Sequence, residues 1–372
     1  MDKLRNAISK GKPHKAPGHD GISLRFYKMA WEVMKLDLLQ IINCMYSDGI
    51  ILARQLQGLI VCIPKHTHPT KVNEYRPLTL MNTDYKIIAR ITAERLKPVL
   101  STVLHPNQYC GLRGDSLFDA VAAVRDVIAF AEITRKPVCV VSIDFNAAFE
   151  KISHEYLQEI LSAHGFSASF IQRITRRQNN ATSELQINDF RSSLIPIKSS
   201  IRQGCPLSML LYAICLNPLI QSLEKNLSGI KIGRRQVRTT VVAYADDVKI
   251  FLSSVADIQQ LKETMLAFEA AIGAVVNIHQ SRALALGTWD MTRQIMDIPY
   301  HKDIKILGFQ FTNIGNSAAI ASWSLVTARV RAAAQDMYFR DISMDRRIRF
   351  VHDYLLAKIW YVTQTFPHRP TA

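Results

Sequence analysis

Three aspartates stand at positions where strands are predicted to end. Asp144 follows the apolar strand 138–143, and Asp246 and Asp247 lie in a tight turn between two further apolar strands. If these strands are neighbours in one sheet, the three carboxylates converge, and a hard divalent cation such as Mg²⁺ relieves their repulsion. Two such ions about 4 Å apart would support in-line displacement at phosphorus. The alternative is that Asp246 and Asp247 simply form a favourable turn.

A second segment has features typical of phosphate binding. Arg202, Gln203 and Gly204 precede a predicted helix that begins near Pro206. A glycine at such a place lets the backbone approach a ligand closely, and a helix N-terminus attracts anions. The alternative for this segment is an ordinary connection between a loop and a helix.

Two basic residues flank a loop after the first predicted strand, 59–63. Lys65 lies at the start of this loop and Arg76 at its end. Because an arginine can bind a phosphate through two parallel hydrogen bonds, this pair would be able to grip a triphosphate. The alternative is a solvated loop, which is the more usual setting for such charges.

The elements that would position these residues follow a β-α-β-β-α-β order, which predicts an antiparallel ferredoxin-like sheet backed by helices. The hydrophobic pattern places the strands and helices of this unit, in chain order, at 138–143, 153–164, 237–244, 248–252, 257–272 and 305–311. Outside this unit, helices are predicted at 22–46, 84–100, 119–131 and from 318 onward, whereas the basic first 20 residues are predicted to form a loop.

The composition excludes several classes of protein. The 372 residues include 48% hydrophobic residues, so the chain is not generally disordered. With 46 Lys+Arg against 31 Asp+Glu, the net charge of +15 favours a polyanionic partner, either a nucleic acid or an anionic membrane surface. The six cysteines form no C-x-x-C pair, which excludes a zinc ribbon and favours reduced thiols. No apolar run is long enough to span a bilayer.

Several short motifs occur in the order that is typical of one protein family. Together they resemble the reverse transcriptases of non-LTR (LINE-type) retrotransposons over nearly the whole chain. YADD alone is a weak signal, but YADD after a strand-terminal aspartate and RQGCPLS is a specific one. The matching segments are KAPGHDG at 15–21, IPK at 63–65, YRPL at 75–78, DYK at 84–86, IDF at 143–145, AF at 148–149, RQGCPLS at 202–208, YADD at 244–247, Gly273 with Asn277 and Ser281, and LGF at 307–309.

The resemblance implies a fold of the α+β class, the right-hand polymerase. Its fingers would comprise residues 1–136, and its ferredoxin-like palm, with the catalytic carboxylates, residues 137–312. A helical, incomplete thumb-like region would comprise residues 317–372. The reverse transcriptase domain as a whole would extend over about 56–312.

The resemblance also assigns roles to individual residues. Asp144, Asp246 and Asp247 would be catalytic and would hold two Mg²⁺ ions, or Mn²⁺ as a substitute, with the Phe145 carbonyl as a further metal ligand. Phe149 would exclude a 2′-hydroxyl from the nucleotide pocket. The other nucleotide-binding residues would be Lys65, Arg76, Gln203 and Gly204, and the primer end would be held by Leu307 and Gly308.

The chain departs from the family pattern at supporting positions. Ala147 and Glu150 stand where the family usually has Lys and Asp, and Asp115 stands where it usually has Arg. Gln280 replaces a Lys that is thought to donate a proton to the departing pyrophosphate. We therefore hypothesise that polymerisation is slow or absent although the site is properly folded.

The function implied is that of an RNA-directed DNA polymerase that adds dNTPs to a primer. Its partners would be an RNA template and a DNA primer or target-site DNA, with no membrane, and its location would be intracellular, in the nucleus or the cytoplasm. Two alternatives stay open: a catalytically decayed nucleic-acid-binding remnant with the same fold, and a protein resembling a group II intron maturase. The chain is expected to be a fragment or a truncated reading frame, with any endonuclease on an absent domain or a separate chain.

Overall fold

The computed structural model describes residues 1–366 except 48, 50, 111–115, 234–235, 314–316 and 339. The helices are α1 (Asp2–Ser9), α2 (Leu24–Met29), α3 (Trp31–Ser47), α4 (Ala53–Leu56), α5 (Thr83–Val103), α6 (Leu117–Thr134), α7 (Ala148–Lys151), α8 (His154–Ala163), α9 (Ala168–Asn179), α10 (Ser208–Asn226), α11 (Val255–Ile272), α12 (Ser317–Tyr338), α13 (Met344–Phe350) and α14 (Ala357–Thr363). The strands are β1 (Gln57–Pro64), β2 (Tyr75–Met81), β3 (Val138–Ile143), β4 (Thr182–Ile187), β5 (Phe190–Arg191), β6 (Ile195–Pro196), β7 (Ile230–Ile232), β8 (Val237–Thr239), β9 (Val241–Tyr244), β10 (Asp247–Leu252), β11 (Arg282–Leu286), β12 (Asp303–Ile306) and β13 (Phe309–Thr312).

The central sheet has the strand order β11-β3-β10-β9, and its neighbouring strands are antiparallel. In chain order this is fourth, first, third and second, with helices in both crossovers, so the predicted ferredoxin-like arrangement is confirmed. The prediction that segment 305–311 supplies the last strand is wrong. That place is taken by β11, a short apolar strand that pairs with β3 from Arg282 opposite Ser142.

Strand β3 is apolar on both faces because both faces of the sheet are covered. Val141 packs in a core that contains residues of α8, α10 and α11. Val140, which points to the opposite face, packs in a second core with residues of α6, β12 and β13. This double burial fixes the register of β3, and hence the position of Asp144 directly after it.

A second sheet, here called the N-terminal sheet, has the order β2-β1-β4-β5 and combines the first two strands of the chain with β4 and β5, which follow β3 in the sequence. Strand β1 pairs antiparallel with β2, with Ile63 opposite Arg76, and parallel with β4. The hairpin of β1 and β2 therefore brings Lys65 and Arg76 to the same end of this sheet.

The first 20 residues do not form a loop throughout, as was predicted from their composition. Residues Asp2–Ser9 form α1, in which Leu4, Ala7 and Ile8 share one face and are buried. They pack in a core with residues of α3 and α5, so tertiary burial stabilises a short helix that composition alone does not reveal. The turn-forming residues begin only after this helix.

The segment 305–311, predicted as one strand, forms the hairpin of β12 and β13. Leu307 and Gly308 make its turn, with φ angles of 47° and 92°. The chain reverses there, with Ile306 opposite Phe309. The helix predicted at 22–46 is likewise divided, into α2 and α3, at Ala30. In the described part of the chain, no helix combines the length and apolar character needed to cross a bilayer.

Candidate active site

Asp144 is held in place by a loop that follows α11. Its backbone N–H donates to the Ser281 hydroxyl at 3.0 Å, and its carbonyl accepts from the Asn277 N–H at 2.8 Å. The Asn277 side-chain amide donates to the Asp144 carboxylate at 3.2 Å. Three hydrogen bonds from one loop therefore fix both the backbone and the carboxylate of Asp144.

Asp246 lies in the turn between β9 and β10. Tyr244 pairs with Asp247 across this turn, and Ala245 adopts the left-handed region, with a φ angle of 55°. Because β10 pairs with β3 through Val248 opposite Ile143, the turn lies next to the end of β3. The structure thus brings Asp246 beside Asp144 by strand pairing, as the sequence predicted.

The two carboxylates influence each other electrostatically. The pKa of Asp144 is raised above its ordinary value, because surrounding protein atoms displace its hydration and because the charge of Asp246 is close. The pKa of Asp246 is also raised by desolvation, and the charge of Asp247 raises it further. Such a pair is costly without a cation, since neither group can ionise freely beside the other.

A buried hydroxyl lies beside the pair. The Tyr212 side chain on α10 is 1% exposed, and its hydroxyl has no hydrogen-bond partner. Burial raises the pKa of Tyr212, and the charges of Asp246 and Asp144 contribute to the same shift. The hydroxyl is thus an unpartnered polar atom within electrostatic reach of both carboxylates.

Asp247 does not join Asp144 and Asp246 as the predicted third carboxylate. Its side chain accepts a hydrogen bond from Lys249, two residues further along β10 and therefore on the same face of the strand. Among the described residues, no group of three or more His, Cys, Asp and Glu side chains is arranged to hold a metal ion. The structure thus groups Asp144 with Asp246 and pairs Asp247 with a lysine.

The donors present nevertheless fit a hard divalent cation. Asp144 and Asp246 supply oxygen atoms, and a cation between them would offset the desolvation and the neighbouring negative charge that raise both pKa values. Mg²⁺ commonly binds through one or two carboxylates and completes its shell with water and substrate phosphate oxygens. The carbonyl of Phe145 was predicted as a further ligand. Phe145 directly follows Asp144, is buried, and forms an isolated antiparallel β-bridge with Val276.

Two basic side chains at one end of the N-terminal sheet, Lys65 and Arg76, act electrostatically on the same site. The charge of Lys65 lowers the pKa of Asp144, and the charge of Arg76 lowers that of Asp246. Both charges also act on Glu150. The ammonium group of Lys65 donates to the Asn73 carbonyl at 3.0 Å, which orders the basic loop. The structure therefore brings Lys65 and Arg76 into electrostatic contact with the carboxylates.

Of the predicted nucleotide-binding residues, Gln203 lines a cavity next to Glu150. Gln203 donates to Glu150 at 2.7 Å, and both line a cavity of about 300 Å³. The Phe149 ring stacks on Tyr212, with 4.4 Å between centroids. At Gly204, with a φ angle of 100°, an added Cβ would lie 2.7 Å from the Thr79 carbonyl oxygen, so this position requires glycine.

The predicted primer-binding turn packs against the same core as Tyr244, which leads into the turn at 245–247, here called the catalytic turn after its predicted role. The hydroxyl of Tyr361 donates to the carbonyl of Leu307, and an added Cβ at Gly308 would meet the same hydroxyl at 3.3 Å. The pKa of Tyr361 is raised by burial and by the neighbouring Tyr244. Tyr361 therefore connects the turn at Leu307 and Gly308 with the strand that leads into the catalytic turn.

The departures from the family pattern lie in different settings. Ala147 precedes α7 in the left-handed region, with a φ angle of 51°, and is exposed. Gln280 is exposed, and its backbone N–H donates to the Asn277 carbonyl at 3.1 Å, in the loop that holds Asp144. Gly114 and Asp115 lie outside the described residues.

Sequence reasoning missed three residues that shape the site. Gln108 hydrogen-bonds the backbone of the catalytic turn, Lys249 pairs with Asp247, and Tyr212 is within electrostatic reach of Asp144 and Asp246. Lys249 had a visible signal, because it is a charged residue within the otherwise apolar strand 248–252. Nothing in the local sequence distinguishes Gln108 or Tyr212, since their roles depend on contacts between distant segments.

Comparison with known proteins agrees with this arrangement. The model of the family described as reverse transcriptase (RNA-dependent DNA polymerase) matches residues 63–311. The transposon TX1 149 kDa protein of Xenopus laevis is 30% identical over 288 residues, which are 77% of this chain and 22% of that protein. The RNA-directed DNA polymerase from the mobile element jockey of Drosophila funebris is 25% identical, over 72% of this chain and 29% of that protein.

A third relative is the Pol polyprotein of the R2DM retrotransposable element of Drosophila melanogaster, which is 24% identical over 70% of this chain and 24% of that protein. The chain thus spans about a quarter of the length of these relatives.

Solved structures show the same fold. Telomerase from Candida albicans, solved with a fragment of telomeric RNA, superposes with a TM-score of 0.53 at 11% identity, over 92% of this chain and 64% of that one. Apo telomerase from Candida tropicalis gives a TM-score of 0.50 at 12% identity, over 71% of this chain and 55% of that one. With the family match over residues 63–311 and its retrotransposon relatives, the chain belongs to the reverse transcriptase (RNA-dependent DNA polymerase) family, in its non-LTR branch.

Proposed function

We propose that the chain is an RNA-directed DNA polymerase that extends a primer 3′-end with dNTPs on an RNA template. The observation that supports this most is the position of Asp144 and Asp246 within electrostatic reach of Lys65 and Arg76. The negative charge of a bound triphosphate would be neutralised on one side by metal ions held by the two carboxylates. On the other side it would be neutralised by Lys65 and Arg76. Phosphoryl transfer depends mainly on such positioning and charge stabilisation.

Two Mg²⁺ ions, or Mn²⁺ in their place, would be held by Asp144 and Asp246, with the Phe145 carbonyl as a further candidate ligand. Asp247 would become a ligand only where its hydrogen bond from Lys249 is broken. When bound, such ions activate the attacking 3′-hydroxyl and stabilise the charge of the leaving pyrophosphate. The chain's own contribution is to hold the carboxylates still. Asn277 and Ser281 fix Asp144 by hydrogen bonds, and strand pairing places Asp246 beside it.

The nucleotide would occupy the region between the two sheets. Its triphosphate would contact Lys65 and Arg76, and its sugar would lie over Phe149, whose stacking on Tyr212 limits the movement of the ring. Gln203 and Gly204 would line the pocket, where the glycine lets the backbone pass close to Thr79. This arrangement would favour deoxyribonucleotides, because the Phe149 ring would fill the space that a 2′-hydroxyl needs.

The primer end would lie at the turn of Leu307 and Gly308. The RNA template and target-site DNA would be bound by basic surface residues, since the chain carries a net charge of +15. In the same proposal, residues 1–136 act as fingers, 137–312 as palm and 317–372 as part of a thumb, and an endonuclease would be supplied by another domain or chain. The six cysteines are free thiols, which supports an intracellular location, in the nucleus or cytoplasm.

Primer extension on an RNA template with Mg²⁺ tests the proposal. We expect a DNA product from the native chain and from the control Asp37→Asn, whose side chain is exposed on α3. Asp246→Asn should abolish the product, because it removes a candidate metal ligand. Template-dependent product that persists in Asp246→Asn would contradict the assignment of the site.

A decayed, nucleic-acid-binding remnant is the second candidate, and the departure at Gln280 favours it. In that case the native chain would give no product but would bind RNA in a salt-sensitive manner. Co-purification with one particular intron RNA would instead support a function like that of a group II intron maturase.

A further inference from the structure

Lys249 carries a buried charge in the centre of the sheet. Its side chain is 2% exposed within β10, a strand whose other residues from Val248 to Leu252 are apolar. A buried ammonium group is stable only when it is paired and hydrogen-bonded. Lys249 meets this condition by donating to the Ser142 hydroxyl at 2.7 Å and to the carboxylate of Asp247. The pairing therefore holds Asp247 in one orientation.

The charge of Lys249 also acts beyond its direct partner. It lowers the pKa of Asp144 and that of Asp246, so the ammonium group lies within electrostatic reach of both carboxylates. Lys249 thus supplies positive charge at the place where a divalent cation would also bind.

We propose that Lys249 is a built-in counter-charge of the metal site, which keeps Asp247 from binding a cation and weakens the affinity of the free protein for divalent ions. The inference deepens the proposed function and rests on its assignment of Asp144 and Asp246 as metal ligands. Repulsion between like charges a few ångströms apart is moderate in a partly solvated site, because the effective dielectric constant there is high. A cation that arrives with a triphosphate overcomes this repulsion, because the phosphates bring compensating negative charge. Lys249 therefore makes metal binding depend on the nucleotide.

Binding of Mn²⁺ alone to the full chain, measured by electron paramagnetic resonance without nucleotide or nucleic acid, tests the proposal. Lys249→Met should bind Mn²⁺ about tenfold more tightly than the native chain, because one repelling charge is removed. Lys249→Arg, which keeps the charge, should remain close to the native affinity. The matched control is Lys262→Met, whose side chain is exposed on α11, and it should change nothing.

A second pair of variants tests the role of Asp247. In the native background, Asp247→Asn should alter Mn²⁺ affinity little, since Lys249 already occupies this carboxylate. In the Lys249→Met background, the same change should remove much of the gained affinity, because Asp247 is then free to bind the ion. An equal effect of Asp247→Asn in both backgrounds would overturn the proposal, as would a Lys249→Met variant that binds no more tightly than native.

Folding and the metal site itself are checked separately. Thermal unfolding followed by circular dichroism shows whether each variant is folded, and Lys249→Gln, which retains a hydrogen-bond donor, replaces Lys249→Met if the latter does not fold. Asp144→Asn should abolish Mn²⁺ binding in every background. Binding that is insensitive to Asp144→Asn would refute the metal site and with it the role of Lys249, whereas the outcomes above refute the role of Lys249 alone.

Discussion

Gln108 and Ala245 are joined by two hydrogen bonds between a buried amide side chain and the backbone of the catalytic turn. The Ala245 N–H donates to Gln108 Oε1 at 3.1 Å, and Gln108 Nε2 donates to the Ala245 carbonyl at 3.5 Å. Gln108 is 0% exposed, and its Oε1 also accepts from the Cys110 N–H at 3.2 Å. Since a left-handed alanine is conformationally costly, these bonds help to hold the turn that presents Asp246.

Replacement of this amide should damage catalysis more than nucleotide binding. Gln108→Leu leaves backbone groups of Ala245 and Cys110 without partners, at a stability cost of about 1–3 kcal/mol. A displaced Asp246 should lower kcat about tenfold or more. The KM for dNTP should change by about twofold or less, because the proposed triphosphate-binding residues are Lys65 and Arg76. Steady-state primer extension and thermal unfolding measure both effects.

The control for this prediction is Gln40→Leu on the exposed side of α3, which should be neutral in both measurements. A Gln108→Leu variant that unfolds more easily but keeps the native kcat would show that the amide serves stability only.

The raised pKa of Asp246 predicts a pH-dependent stability. A carboxyl group whose pKa is higher in the folded than in the unfolded state stabilises the protein below the unfolded value, near 3.8, and this contribution is lost as the pH rises through the folded value. Without metal, Asp246→Asn should therefore raise the melting temperature at neutral pH. The gain should shrink as the pH falls towards 4, because the native carboxyl then becomes neutral as well.

Melting curves of the metal-free protein from neutral to mildly acidic pH provide the measurement, with the exposed Asp37→Asn as the control that should show no such trend. A native chain that is more stable than Asp246→Asn at neutral pH without metal would contradict the prediction. Addition of Mg²⁺ together with a dNTP should reverse the order of stability, because only the native site binds the ion with its nucleotide.

The proximity of Asp144 and Asp246 in the candidate active site could be predicted from sequence because the elements that carry them are marked locally. Strand 138–143 is apolar on both faces and is followed by Asp144, and the turn at 245–247 interrupts a second apolar segment. In a ferredoxin-like sheet these strands are neighbours, so their carboxylates were expected to lie close together. The orientation of Asp247 could not be predicted, because it depends on the charge of Lys249 two residues away in a buried strand. The same limit explains why Gln108 was missed, since 137 residues separate it from its partner.

Errors in the elements have a similar physical origin. The apolar pattern of 305–311 suits one strand, but Gly308 permits a left-handed turn that divides it into β12 and β13. The short strand β11, with its alternating alanines and leucines, has little intrinsic β propensity. It forms because β3 offers an unpaired edge and both of its faces are covered.

The stacking of Phe149 on Tyr212 predicts a role in sugar discrimination. Phe149→Val would open space above Tyr212, so the preference for dNTP over rNTP, measured as a ratio of kcat/KM values, should fall about tenfold or more. The control is Phe166→Val, a change in a stacked pair with Phe170 that is separate from the catalytic turn. An unchanged ratio in Phe149→Val would show that the ring packs against Tyr212 without selecting the sugar.

Gln280 offers a direct test of whether the departures from the family pattern limit the rate. Its side chain is exposed in the loop that holds Asp144, so Gln280→Lys should be accommodated without loss of stability. An ammonium group there could protonate the leaving pyrophosphate, and general acid catalysis typically contributes about 10²–10⁴-fold. We expect single-nucleotide extension to accelerate by about tenfold or more. This is less than the full contribution of a general acid, because the departures at Ala147 and Glu150 remain.

The matched control is His279→Lys, which adds the same side chain at the preceding exposed position. Because general acid catalysis requires a specific position, His279→Lys should give little acceleration, whereas a nonspecific gain in charge would accelerate both variants equally. Pre-steady-state extension of one nucleotide distinguishes these outcomes, since later product release does not contribute. No increase with Gln280→Lys would mean that another group of the site limits the rate. Glu150 would be tested next, because it accepts a hydrogen bond from Gln203 and is within electrostatic reach of Lys65 and Arg76.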